Sequence, residues 1–166
     1  MIRVRMLLDR INRISTPWVS LLFALIFLVF CATVLPAQSA AAEAYTGPSG
    51  SPDLSFTYSL SRLYRMANEF GPDGREAYIN ARFTFDLAFP FVYGLFLTTN
   101  ISCLTRTLDR QNGWLAYAPL LPLGSILFDL IENTAAVVVI GRYPLLSPFA
   151  AAAAALSTPV KCCLLY

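Results

Sequence analysis

The residues best equipped for chemistry in this chain are a few ionisable side chains set inside long apolar stretches. Asp129, Glu132 and Asn133 stand at i, i+3 and i+4, which places all three on one face of a helix. Ser125 lies four residues earlier and extends that face. In a second apolar stretch, Arg82, Asp86, Pro90 and Tyr93 follow at i, i+4, i+8 and i+11 and form another polar stripe. Lys161 is the one cation of the last apolar stretch. An ionised group in mid-membrane costs at least ~2.5–3.5 kcal/mol on insertion scales, so such groups face a protein interior and one another. Grouped carboxylates of this kind suit binding of a proton, a cation or a polar ligand. They also suit general-base catalysis on a lipid substrate, with Ser125 and Tyr93 as helpers. The structural alternative is a polar knot that holds helices together.

Composition explains why these groups are exceptional. The chain has 166 residues, 57% hydrophobic and 13% charged, roughly half the ~25% charge of a soluble domain. The apolar residues are bunched in runs, so the fold class predicted is all-α: a polytopic membrane protein, a four-helix transmembrane bundle with an extra amphipathic helix in its first extracytoplasmic loop. The chain has no histidine, which excludes His-based zinc sites, haem ligation and Ser-His-Asp triads. A net charge of +2 gives no basic field for nucleic acid. No phosphate-cradling glycine motif or metalloprotease motif occurs. Cys31, Cys103, Cys162 and Cys163 fall within or at the ends of apolar segments and form no CxxC. No disulfide framework, thiol-redox site, metal site or cofactor is expected.

The elements that must position the polar groups follow from the apolar runs. Residues 1–16 form a basic N-terminus, with Arg3, Arg5, Arg10 and Arg13 against Asp9. Ser15-Thr16-Pro17 reads as a helix start. Trp18 to Pro36 carries no charge and is roughly 28 Å long as a helix, close to the hydrocarbon thickness. This first span, 17–36, also resembles a signal peptide followed by the small residues Ala37 to Ala42. Its length exceeds the usual apolar core of about 7–15 residues and favours a retained anchor. Residues 37–82 form the first loop, which begins as an unstructured connector over 37–52. Phe56, Leu60, Leu63, Tyr64, Ala67 and Phe70 then predict an amphipathic helix over 53–70, stopped by Gly71-Pro72. It lies either on the membrane interface or against the tops of the spans. Asp73 and Glu76 resemble a capping box opening the next helix.

The second span is 83–103, followed by a polar loop at 104–113 and a third span at 114–140 that contains Pro119 and Pro122. A short outer loop at 141–147 leads to the fourth span, 148–166. Lys and Arg in short loops place both termini and the 104–113 loop in the cytoplasm and 37–82 outside. A bacterial inner membrane is the location that fits. The Asn100-Ile101-Ser102 sequon falls at a cytoplasmic helix end and is discounted. Cys162-Cys163 reads as small apolar filler, with lipidation as the alternative in a eukaryotic host.

Depth suggests the pairings. From Ile140, Glu132 lies about 12 Å and Asp129 about 16 Å down, and Lys161 lies about 20 Å from Pro148. Lys161 is therefore expected to pair with Asp129. Glu132 and Asp86 are expected to look outward to the basic residues Arg75, Arg82 or Arg142. Snorkelling to cytoplasmic water is the alternative for Lys161, and an interfacial i,i+4 pair with Arg82 the alternative for Asp86. The last segment is weakly apolar and should insert poorly alone, so a countercharge would support it. The function expected first is a structural or accessory membrane protein with an intramembrane Asp/Glu/Lys cluster. The next is a small proton- or cation-coupled transporter or polar-ligand binder, and the third an intramembrane lipid-modifying enzyme. The lipid bilayer is the expected partner, with a second membrane protein or another copy of the chain as further partners.

Overall fold

A computed structural model describes residues 2–47, 56–108 and 113–166. Among these residues every regular element is helical. The elements are α1 (Ile2–Ile14), α2 (Pro17–Thr46), α3 (Leu60–Glu69), α4 (Gly71–Thr107), a 3₁₀ segment (Trp114–Leu120), α5 (Leu121–Arg142) and α6 (Pro148–Leu165). Four stretches are long and apolar enough to cross a membrane: α2, α4, the 3₁₀ segment with α5, and α6.

Helix ends differ from the sequence reading in ways that local chemistry explains. The basic N-terminus is itself a helix, α1. Its Leu8 is buried, and Arg106 of α4 donates to the carbonyls of Asn12 and Ser15. α2 opens at Pro17 behind Thr16 and does not stop at Pro36. It runs on to Thr46, replacing the expected connector. The residues after Pro36 are rich in alanine, the strongest helix former, and Pro36 removes only one backbone hydrogen bond.

α3 begins at Leu60, where the Ser59 hydroxyl accepts from the Arg62 N–H at 3.2 Å. The first part of the expected 53–70 helix, 53–55, lies outside the described residues. Gly71, with φ +66°, turns the chain directly into α4. No side chain caps that start, so Asp73 sits in the first turn and forms no capping box with Glu76. The helix continues to Thr107, beyond the expected limit at 103; 109–112 lie outside the described residues. Pro119 and Pro122 divide the third span into a 3₁₀ turn and an α-helix, since each proline withholds a helical donor.

Packing is sequential. α2 packs mainly on α4, α4 on α5 and α5 on α6, while α2 and α6 make no extensive contact with each other. The α2–α4 seam is aromatic, with Phe27 stacked on Phe96 at 4.5 Å and Phe30 against Phe85 and Phe89 at 5.6 Å. Ser20 donates to the Thr99 carbonyl at 3.0 Å across it. The α5–α6 seam is built from small residues. Ala151 and Ala154 are wholly buried against the cluster containing Ala136, Val139 and Ile140, because short side chains let helix backbones approach closely. Leu63, Met66 and Ala67 of α3 cover the same cluster, while Arg62 on that helix stays exposed.

Candidate functional site

α5 carries the site. At 1.5 Å per residue, Glu132 lies roughly 15 Å from Arg142 and about as far from Leu121, near the helix middle. One turn of periodicity sets Ser125, Asp129, Glu132 and Asn133 on its buried side, where Glu132 is 1% exposed. α6 brings Lys161 to them. Its Nζ lies 3.2 Å from Asp129 Oδ1 and 2.6 Å from Glu132 Oε2. The lysine therefore bridges two carboxylates one helical turn apart.

Glu132 meets this lysine rather than an outer arginine, which differs from the sequence expectation. Arg142 is exposed at the end of α5. Arg75 donates to the Ala67 carbonyl and lies over the Tyr143 ring. The reason is rotational. The face of α5 that holds Asp129 and Glu132 points at α6, and Lys161 reaches between them. Its side chain is only 11% exposed, so it does not snorkel to water.

The remaining acceptors are served by neutral donors. Tyr93 of α4 donates to Asp129 Oδ2 at 2.8 Å and lies 3.3 Å from the Ser125 hydroxyl. Ser125 in turn donates to the Lys161 carbonyl at 3.4 Å. Thr158 donates to Glu132 Oε1 at 2.7 Å, and Tyr58 reaches the same oxygen at 3.4 Å. Asn133 donates to Asp129 at 3.4 Å and to the Asp86 carbonyl at 3.2 Å. That carbonyl is the one whose helical donor Pro90 removes, so an amide from α5 replaces a missing backbone hydrogen bond in α4. Arg82 pairs with Asp86 at 2.6 Å, donates to Asn133 at 3.4 Å and lies over the Tyr78 ring.

All seven residues of the expected polar cluster thus fall in one continuous network, with Arg82. Arg75 and Arg142 stand apart from it. Tyr58 and Thr158 belong to it and were missed. Thr158 was findable, since it lies one turn before Lys161 on α6. Tyr58 precedes α3 without any periodic signal. Asn100 turns inward to the Ser20 and Phe96 carbonyls at 3.4 and 2.8 Å.

Beside the network is a cavity of about 470 Å³ lined by Arg82, Asp86, Tyr93, Asp129, Asn133 and Lys161 and by apolar residues of α2, α4 and α6. Among the described residues no group of three His, Cys, Asp or Glu side chains could hold a metal ion. The four cysteines are free thiols. Compared with protein families, with characterised proteins and with solved structures, the chain matches none.

Proposed function

We propose that the chain is a multi-pass membrane protein of structural or accessory kind, in which the Asp129–Lys161–Glu132 bridge seats α6 against α5. The observation that carries this reading is the lysine shared between two buried carboxylates at 3.2 and 2.6 Å. The apolar window of α6 has a low mean hydropathy, 1.4 against 1.5 for α4 and 2.7 for α2, and its lysine opposes insertion by ~2.5–3.5 kcal/mol unless matched by opposite charge. In this reading both termini face the cytoplasm of a bacterial inner membrane. α3 lies in the extracytoplasmic loop, on the outer ends of α5 and α6. The arginines of α1, together with Arg106, support that orientation. A partner membrane protein or a second copy would meet the long lipid-facing side of α2, where Leu21, Leu25 and Leu28 are exposed.

The test compares Lys161→Met with the triple variant D129N/E132Q/K161M in a detergent-solubilised full-length chain. A structural bridge predicts that the single variant unfolds readily, because it strands buried acids. The triple variant, which strands none, recovers most of the stability. Equal stability of Lys161→Met and the unaltered chain would overturn the reading.

A second reading, binding or coupled transport of a small polar species, is favoured by the cavity that Asp86, Asp129 and Lys161 line. It predicts uptake or flux in proteoliposomes that disappears in the triple variant although that variant remains folded. Flux that persists there would reject it.

A further inference from the structure

Helix α1 lies beside the last turns of α4 rather than beyond them. The Ser102 hydroxyl donates to Asn12 Oδ1 at 2.7 Å, and Arg106 donates to the Ser15 carbonyl at 3.2 Å. Farther toward the amino terminus, Arg5 and Leu8 still share a cavity with Thr105, and with Gly113 and Tyr117 at the start of the third span. Were α1 to continue the line of α2, Arg5 would stand about 10 Å past Asn12, beyond the end of α4 at Thr107. α1 instead runs sideways, from α4 to the 3₁₀ segment, and packs on both. The chain's two tryptophans, Trp18 and Trp114, begin the first and third spans at this same end and are 80% and 78% exposed. Exposed tryptophans of this kind mark a membrane–water interface.

The faces of α1 are sorted by polarity. At 3.6 residues per turn, Val4, Leu7, Leu8, Ile11 and Ile14 fall on one arc about 120° wide. Protein covers only part of it. Leu8 is buried and Ile11 half-buried, whereas Leu7 and Ile14, at the far edge, are 46% and 63% exposed. Arg3 and Arg10 adjoin that open edge, while Arg5, Asp9 and Arg13 stand on the opposite flank. Arg3 and Arg10 are exposed, and among the described residues no ion pair engages either. With the open apolar edge turned to acyl chains, these two guanidiniums stand at headgroup level, where their planar forks match phosphate oxygens. Net negative charge on the lipid strengthens that attraction.

We propose that α1 is an in-plane helix that holds acidic phospholipid, with Leu7 and Ile14 among the acyl chains and Arg3 and Arg10 on the headgroups. Arg5 and Arg13 then face water. This rests on the membrane placement proposed above and is independent of the Asp129–Lys161–Glu132 bridge.

The test is native mass spectrometry of the full-length protein released from nanodiscs of equimolar phosphatidylglycerol and phosphatidylcholine with the same acyl chains. Phosphatidylglycerol is expected to be retained over phosphatidylcholine by about tenfold. R3Q/R10Q should remove most of that preference. R5Q/R13Q makes the same change in net charge and should keep the preference within about twofold. A second measurement places the helix: the fluorescence of L7W/W18F/W114F should be strongly quenched in discs of acyl-brominated phosphatidylglycerol. Equal retention of the two lipids, or equal losses in the two double variants, would overturn the role of Arg3 and Arg10. Unquenched fluorescence would overturn the in-plane placement and leave that edge to a partner protein. Failure of the chain to enter nanodiscs would reject the membrane placement and this proposal together, whereas unchanged stability of Lys161→Met would reject the bridge alone.

Discussion

α2 and α6 form the two flanks of the helical row, and they are held there by opposite means. α2 has the most apolar window of the four long helices, at mean hydropathy 2.7, and only 6% of that window is buried in protein. In the proposed membrane setting it would need little from its neighbour, because lipid would solvate its leucines as well as protein does. Aromatic stacks and a few hydrogen bonds suffice to place it. α6 has mean hydropathy 1.4, and 22% of its window is buried. It depends on close packing of alanines and on a lysine held between two acids. A helix that lipid accepts readily can be attached weakly, whereas one that lipid accepts poorly must be bound by specific contacts.

This contrast breaks if changes on α6 cost no more than changes on α2. The largest effect expected is for Lys161→Met, about 3–5 kcal/mol in chemical or thermal unfolding, the usual cost of removing one partner from a buried ion pair. Next comes Ala154→Leu. Ala154 is 0% exposed, and overpacking a tight helix seam costs about 1–3 kcal/mol. Reduced yield of folded protein and a lower unfolding midpoint would register it. On α2, Phe27→Ala removes the stack on Phe96 and should cost about 0.5–1.5 kcal/mol. Leu25→Ala, at an exposed position of α2, should remain within about 0.5 kcal/mol of the unaltered chain. The smallest resolvable effect on α6 is expected for Thr158→Val. It removes one hydrogen bond to Glu132, for which intramembrane measurements average about 0.6 kcal/mol. A Phe27→Ala loss larger than that of Lys161→Met would reverse the ranking and show that aromatic seams dominate the assembly.

The all-helical class and four membrane-length helices were legible because apolar run length is a property of neighbouring residues. The common face of Asp129, Glu132 and Asn133 was legible for the same reason, since helical pitch alone sets it. Helix limits were less so. Pro36 and the alanines after it read as a break and a connector, yet α2 absorbs the proline and continues to Thr46. The Asp73/Glu76 pair resembled a cap, but positive φ at Gly71 starts α4 earlier. Depth arithmetic brought Lys161 level with Asp129 but did not foresee Glu132 as its second partner, because depth says nothing about how two helices are rotated toward each other.

Pitch, hydropathy and residue type, all local quantities, account for which segments are helical, which can cross a bilayer and which side chains are costly there. Partner choice is not local. Lys161 reaches both acids, Asn133 replaces the hydrogen bond that Pro90 withholds from Asp86, Tyr58 and Thr158 complete Glu132, and a cleft remains between α2 and α6. Each of these depends on the relative rotation and separation of helices far apart in the chain, which packing of the whole molecule sets.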